Sequence, residues 1–252
     1  MQLTVVGCAG SFPGPESASS SYLFEADGFR LVIDMGNGAL GPLQRFAPLF
    51  GIDAVCLSHL HADHCTDLYS YRVARQIAAD GPLPAVPVYG PAGTRERLAL
   101  LHGPEGDDEL AERLSFQTLR PGTMEIGPFR VSVDHMNHPV ETFGFRVEHG
   151  GRSVAYSADT GESTALVELA READLLLCEA SFLSGPGLPP DVHLTAAQAG
   201  EHATRAGAGE LMLTHLVPLN DPLRSVAEAR DTYDGTVTAA QTGTVIELDG
   251  SR

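Results

Sequence analysis

An α/β fold is predicted for this chain: two mixed β-sheets lying face to face, with helices on the outside. Two observations lead there. Strand-like segments come first in each half of the chain and helical ones follow, an order that two mixed sheets accommodate better than one uniformly alternating parallel sheet. Neither a repeat of fixed period nor a linker long enough to divide the 252 residues is present, so residues 1–252 read as a single domain able to bury a sizeable core.

Leu3 to Gly7 reads as the first strand, followed by a turn-rich loop, Gly10-Ser11-Phe12-Pro13-Gly14-Pro15, which could lie over a pocket, and a serine-rich stretch from Ser17 to Ser21. Tyr22 to Ala26 and Phe29 to Ile33 flank Asp27-Gly28, a two-residue hairpin signal. The second of these strands ends at Asp34 on a sharp turn, where the carboxylate either caps the turn or holds a metal-binding histidine from behind. Asp53 to Leu57 is short, apolar and β-compatible. Helical spacing marks Thr66 to Ala79, stopped by Gly81-Pro82; Val86 to Tyr89 is a strand. Short helical pieces at Thr94 to Leu101 and Glu109 to Leu114 flank a loop, Gly103 to Asp108.

The second half opens on strands at Phe116 to Leu119, Thr123 to Ile126, Phe129 to Asp134, Thr142 to Glu148 and Arg152 to Ser157, with Gly150-Gly151 as a tight turn between the last two. A helix over Thr164 to Ala170 leads into a strand at Asp174 to Cys178. Thr195-Ala196-Ala197-Gln198 has capping-box form, so a helix runs from Thr195 to about Ala206. Glu210 to Thr214 is a strand, Leu223 to Tyr233 a helix, and Thr244 to Leu248 a closing strand.

Sixteen basic residues against 33 acidic ones leave a formal charge of −17. That field repels polyanions, whose binding depends on counterion release at Lys and Arg, so no large nucleic acid partner is expected; a small anion drawn to metal ions remains compatible. Cys8, Cys56, Cys65 and Cys178 sit in or beside apolar runs without paired spacing, which suits reduced, buried thiols in a cytoplasmic protein. The N-terminal residues lack a basic segment followed by a long apolar one, and no run approaches about 18 apolar residues, so neither secretion nor a membrane partner is expected.

Chemistry concentrates in Ser58-His59-Leu60-His61-Ala62-Asp63-His64-Cys65, placed where the strand Asp53 to Leu57 breaks into a loop. Imidazole nitrogens and carboxylate oxygens are donors that zinc, manganese and iron accept, and His59 and His61 with Asp63 and His64 supply two donor pairs, half of a two-metal site. Three more candidates stand just past strands: His138, Asp159 and His215. Loops at strand ends let side chains meet on a rigid scaffold.

In order and spacing, His59-Leu60-His61-Ala62-Asp63-His64, His138, Asp159 in Ser157-Ala158-Asp159-Thr160-Gly161, and His215 in Leu213-Thr214-His215 resemble the metal motifs of the metallo-β-lactamase superfamily. The resemblance implies a four-layer αββα sandwich with the site along the edge of its two sheets. It also implies that His59, His61 and His138 hold one metal, Asp63, His64 and His215 the other, and that Asp159 bridges them. The expected cofactors are two divalent ions, zinc first, with manganese or iron as alternatives.

Thr142-Phe143-Gly144-Phe145-Arg146, Cys178-Glu179-Ala180-Ser181 and His193-Leu194-Thr195 are similar to motifs of the phosphodiesterase branch that includes the tRNA 3′-processing nucleases. His193 lies two residues before a capped helix, near exposed N–H groups suited to phosphate oxygens. It is expected to be the general acid, oriented by Glu179, with helix capping as its other reading. Asp63 completes the expected catalytic set, while Arg146 reads as structural. His102, His135, His149 and His202 fall in polar or loop surroundings and are left out of the site.

Nucleases of that branch that cut tRNA carry a long Gly- and Pro-rich arm between the third histidine motif and the bridging aspartate, and a basic N-terminal loop. Here a single hairpin separates His138 from Asp159, and the loop reads Pro13-Gly14-Pro15-Glu16-Ser17. From Val6-Gly7-Cys8-Ala9-Gly10-Ser11 to Leu213-Thr214-His215, the chain is most similar to actinobacterial cyclic nucleotide phosphodiesterases of the superfamily. The implied reaction is hydrolysis of cyclic 3′,5′-AMP to 5′-AMP, in which water activated between two ions attacks phosphorus in line. A tRNA 3′-processing-like nuclease and a thioester or lactone hydrolase are the alternatives; a homodimer is a further possibility.

Overall fold

The computed structural model of the chain describes residues 1–78, 81, 83–103 and 110–248. Its first half runs β1 (Gln2–Ala9), β2 (Ala18–Ser19), β3 (Ser21–Ala26), β4 (Phe29–Ile33), α1 (Leu40–Leu43), β5 (Ala54–Cys56), α2 (Ala62–Gln76), β6 (Val86–Gly90), α3 (Thr94–His102), α4 (Leu110–Arg113) and β7 (Leu114–Thr118). The second half runs β8 (Gly122–Ile126), β9 (Phe129–His135), β10 (Phe143–His149), β11 (Arg152–Tyr156), α5 (Thr164–Leu169), β12 (Leu175–Glu179), α6 (Ala196–Ala206), β13 (Glu210–Thr214), α7 (Pro222–Arg230), β14 (Thr236–Ala239) and β15 (Val245–Glu247).

Two mixed sheets result, ordered β15-β1-β3-β4-β5-β6-β7, with β2 beside β1, and β14-β13-β12-β11-β10-β9-β8. Each begins as an antiparallel meander and ends in parallel crossovers: β3 and β4 pair antiparallel, then β4 to β7 parallel; β8 to β11 pair antiparallel, then β11 to β14 parallel. The meander turns use the predicted dipeptides. Asp27 (φ 51°) with Gly28 (φ 79°), and Gly150 (φ 60°) with Gly151 (φ 76°), are left-handed at both central positions, as a two-residue turn that follows strand twist requires.

Strand alternation builds the layers. Leu3, Val5, Tyr22, Phe24, Leu31 and Ile33 pack between the sheets against Val131, Val133, Phe143, Phe145 and Val147. Their neighbours Val6, Leu23, Val32 and Val55 face the other way, toward Leu43, Leu68 and Leu98 of the helices. On the second sheet Leu176, Leu211 and Leu213 turn outward onto Leu166, Ala199 and Ala203. Helix, sheet, sheet, helix is therefore the order of layers, as the sequence predicts.

Three elements escape the sequence pattern: β2 has two residues, α1 four with an internal proline, and β14 a single buried residue, Val237. The helix after the metal motif begins at Ala62 rather than Thr66, so Asp63 and His64 belong to a first helical turn and not to a loop. Its expected end at Ala79, the Pro82 stop, the start at Glu109 and residues 104–108 lie outside the described residues. Leu114 begins β7 instead of ending a helix. Asp221 caps α7, with Pro222 in its first turn, and the helix closes at Arg230 rather than Tyr233.

Candidate metal centre

The site residues come from strand ends along one edge of the sandwich. His59 lies three residues past β5, His61 is the N-cap of α2, and Asp63 and His64 occupy its first turn, where a carboxylate meets the positive end of the helix. Asp159 follows β11 and His215 follows β13. Asp34, Ala158 and His215 all adopt left-handed backbone (φ 59°, 51° and 52°), a conformation that costs free energy and redirects the chain sharply at each strand end. Gly36 is required by close approach, since a Cβ there would overlap the Asp63 carbonyl oxygen.

Seven side chains converge in two groups. In the first, His59 Nε2 lies 3.0 Å from His61 Nδ1, which lies 3.3 Å from His138 Nε2; Asp159 Oδ2 is 3.6 Å from His59 Nε2 and 3.9 Å from His138 Nε2. In the second, His64 Nε2 and His215 Nε2 are 3.3 Å apart, and Asp159 Oδ1 is 3.2 and 3.4 Å from them. Asp63 Oδ2 completes that group, 3.1 Å from His215 Nε2 and 3.6 Å from His64 Nε2. Four donors bound tetrahedrally at zinc-like lengths would sit about 3.3 Å from one another, so these separations are those of a coordination shell. Asp159 contributes one oxygen to each group.

The outer faces of the rings assign their protons. His138 Nδ1 donates to the Val192 carbonyl at 2.8 Å, and His64 Nδ1 donates to Asp34 Oδ2 at 2.8 Å. His59 Nδ1 reaches Ser58 Oγ at 3.1 Å, whose own proton goes to Asp34 Oδ2 at 2.8 Å; His215 Nδ1 reaches Ser181 Oγ at 2.8 Å. With protons held there, the Nε2 lone pairs of His59, His64, His138 and His215 all aim inward, which is how metal-binding histidines are oriented. Asp159 Oδ1 is buried and accepts no hydrogen bond. Lone pairs facing lone pairs around an orphaned carboxylate oxygen are what divalent cations would fill, and the residues fit them.

Electrostatics agree. Burial, with the nearby imidazole of His64, drives the pKa of His59 well below the ordinary histidine value. Burial likewise lowers His61 and His138 against the pull of Asp159, keeping them neutral donors. His64 goes the other way: burial opposes its charge, but Asp159 and Asp34 outweigh burial and raise it well above that value. A cation bound there would displace that proton. Asp159 is itself buried, yet His215, His64 and His59 hold it well below the usual carboxylate range.

Asp34 does more than shape its turn. It accepts from Ser58 N at 2.7 Å, from Tyr156 Oη at 2.9 Å, and from Ser58 Oγ and His64 Nδ1. Asp34→Asn keeps a residue that tolerates left-handed backbone but removes the charge fixing the two histidines. Metal affinity is expected to fall about 10–100-fold, read by competition with a chromophoric chelator.

Beside the cluster, His193 Nδ1 donates to Glu179 Oε1 at 2.8 Å and lies 4.0 Å from Asp159 Oδ2. Glu179 also accepts from Thr160 N at 2.8 Å and Ser181 Oγ at 2.9 Å, tying the Asp159 loop to the His193 ring. The cap of α6 is Thr195, with Gln198 completing the reciprocal box, so His193 is left to Glu179. Burial opposes its imidazolium, but Glu179, then Asp159 and Asp63, raise its pKa above the ordinary value. The first loop comes onto the cluster through Ser11 N, which donates to Asp63 Oδ2 at 2.9 Å.

Other candidates stay outside. Arg146 bonds the carbonyls of Leu169 and Arg171 and is structural. Burial pushes the Cys65 thiol up to about 11, and it packs with the helix-side core. His135 stacks on Phe143, His102 pairs with Tyr69 and His149 with Asp27. His202 differs from its sequence reading: it is fully buried on α6, donating from Nδ1 to Gln198 O and accepting from Ser163 N. Its spacing from Ala199, Ala203 and Ala206 is the signal for a buried helix face. Ser58, Tyr156 and Ser181, which hold the ligands in place, carry no such signal, apart from the position of Tyr156 on the inward face of β11.

A family model described as the β-lactamase superfamily domain matches residues 29–216. An uncharacterized protein of Mycobacterium tuberculosis is 41% identical over 249 residues, covering 95% of this chain and 89% of its own. "Probable metallo-hydrolase YhfI" of Bacillus subtilis is 32% identical over 98% of this chain and 100% of its own; its crystal structure superposes with a TM-score of 0.88 at 31% identity, over 97% of this chain and 98% of that one. Ribonuclease Z of Mycolicibacterium gilvum is 34% identical, covering 88% of this chain and 86% of its own.

Proposed function

Because the chain belongs to the metallo-β-lactamase superfamily, we propose that it is a two-metal phosphodiesterase acting on a small cyclic nucleotide, cyclic 3′,5′-AMP, with 5′-AMP as product. The ions are zinc, with manganese or iron as alternatives that the same donors accept. The proposal rests chiefly on the His193–Glu179 pair, an imidazole fixed 2.8 Å from a buried carboxylate at the rim of a carboxylate-bridged donor cluster.

His59, His61, His138, Asp159, Asp63, His64 and His215 would hold the divalent ions, which when bound would supply a nucleophile from water near neutral pH and neutralise charge on phosphoryl oxygens. The chain does the rest. His193, with Nδ1–H given to Glu179, presents Nε2 as the atom that carries the proton to be transferred, its imidazolium favoured by the Glu179 carboxylate. It delivers that proton to the 3′ oxygen as the phosphorus–oxygen bond breaks. Asp63 is held in place by Ser11 N, which donates to its Oδ2.

A small substrate is favoured over RNA by three features. The formal charge is −17, the interval between His138 and Asp159 is filled by the β10–β11 hairpin, and the first loop carries Glu16. The likeness to Ribonuclease Z supports a second reading, a nuclease of short RNA. Incubating metal-loaded protein with cyclic AMP, cyclic GMP, a 2′,3′-cyclic nucleotide and a pre-tRNA, and following products by chromatography, separates them. Conversion of cyclic AMP to 5′-AMP is expected; turnover of pre-tRNA alone would overturn the proposal. No helix among the described residues is long and apolar enough to cross a membrane.

A further inference from the structure

Chain segments that carry site residues meet at Asn137, which directly precedes His138. Its backbone fastens it to the turn after Asp159: Asn137 N donates to Thr160 Oγ1 at 3.1 Å, and Gly161 N donates to the Asn137 carbonyl at 2.7 Å. Its side chain crosses to another segment, where Nδ2 donates to Asp191 Oδ1 at 2.8 Å and to the Glu162 carbonyl at 3.3 Å. One residue thus ties the approach to His138, the Asp159 turn and the 191 segment together.

Asp191 is held at a constrained point of the backbone. It adopts left-handed φ (57°), and a Cβ on Gly161 would stand 2.6 Å from its Cα, so the two segments touch backbone to backbone. The next two residues both serve the centre: Val192 O accepts from His138 Nδ1 at 2.8 Å, and His193 gives Nδ1–H to Glu179 at 2.8 Å. Beyond them the strip is tied down at Leu194, whose carbonyl accepts from Phe182 N at 3.1 Å. Asp191 anchors its near end.

Resting on the phosphodiesterase reading, we infer that Asn137 and Asp191 are a positioning pair that sets where His193 stands over the donor cluster. They act through the Val192-His193 strip, without contact with a reacting atom. A proton donor displaced from the departing oxygen loses rate while substrate binding changes little, so the pair should weigh on kcat and only where the leaving group needs a proton.

The pair can be broken and remade. Asn137→Asp keeps the size and the backbone bonds of the residue but sets two carboxylates face to face; adding Asp191→Asn, which also tolerates left-handed backbone, restores a donor opposite an acceptor. Both side chains are exposed, so folding should survive, as circular dichroism would check. In zinc-loaded protein, Asn137→Asp is expected to lower kcat for cyclic 3′,5′-AMP on the order of tenfold with KM little moved, and to cost far less on bis(p-nitrophenyl) phosphate. The double variant should recover most of the loss. The His193 Nδ1–H resonance, followed by NMR, should shift or broaden in the single variant and return in the double. A single variant that behaves as wild type, a loss equal on both substrates, or no rescue of either readout by Asp191→Asn would overturn the inference. A resonance that moves and returns in a chain that hydrolyses no cyclic nucleotide would sink the proposed reaction and leave the positioning pair standing.

Discussion

Asp159→Asn is expected to lower phosphodiester hydrolysis by on the order of 10³-fold or more, the largest loss of any single isosteric change in the protein. The reason is its double engagement. One oxygen lies 3.2 and 3.4 Å from the nitrogens of the second group, the other 3.6 and 3.9 Å from those of the first. An amide offers one oxygen and turns an NH₂, which has no lone pair available for a cation, toward the other group, so one of the two groups loses a ligand atom. The variant keeps the volume of a buried side chain, so folding should survive. Circular dichroism alongside kcat and bound metal would check both halves; a folded variant with wild-type metal content and rate would contradict the role.

His193→Ala is expected to cost about 10²–10⁴-fold in kcat toward a cyclic 3′,5′-nucleotide, with a smaller change in KM. An alkoxide departs poorly without a proton, and His193 stands beside the cluster with its pKa raised by Glu179 against the effect of burial. Bis(p-nitrophenyl) phosphate, whose leaving group needs no proton, should suffer far less. A group with raised pKa gives its proton less often as pH rises, so wild-type kcat for the cyclic nucleotide should fall on the alkaline side and the variant should lose that limb. Equal losses on both substrates would point to a structural defect instead.

Much of this architecture is written in local pattern. Period-two alternation marks the strands because each has one face on the inter-sheet core and one on the helices, as Val5 and Val6, or Phe24 and Leu23, show. Asp27-Gly28 and Gly150-Gly151 mark the hairpins because few other dipeptides accept left-handed backbone twice running. The helix start was obscured for a reason tied to the site: His61-Ala62-Asp63-His64 has the polarity of a loop, yet its polar side chains are turned into a buried cluster. Sheet membership is non-local and had no signature. Nothing in Val245–Glu247 says that it returns to pair with Gln2–Thr4 at the far end of the chain.

The supports of the centre were least visible. Asp34 could be read as a turn residue or a histidine partner, and only the fold brings it 2.8 Å from His64 across 30 residues. Ser181 and Tyr156 are common residues whose value lies in what they face, Glu179 and His215 for one, Asp34 for the other. His202 shows the converse, a histidine whose burial serves packing between α5 and α6.

The most direct measurement is the zinc content of the chain after loading and gel filtration, by atomic emission, together with anomalous scattering from a crystal. Two ions per chain are predicted, one among His59, His61 and His138, the other among Asp63, His64 and His215, with Asp159 between them. A single ion, or a pair with Asp159 touching neither, would contradict it.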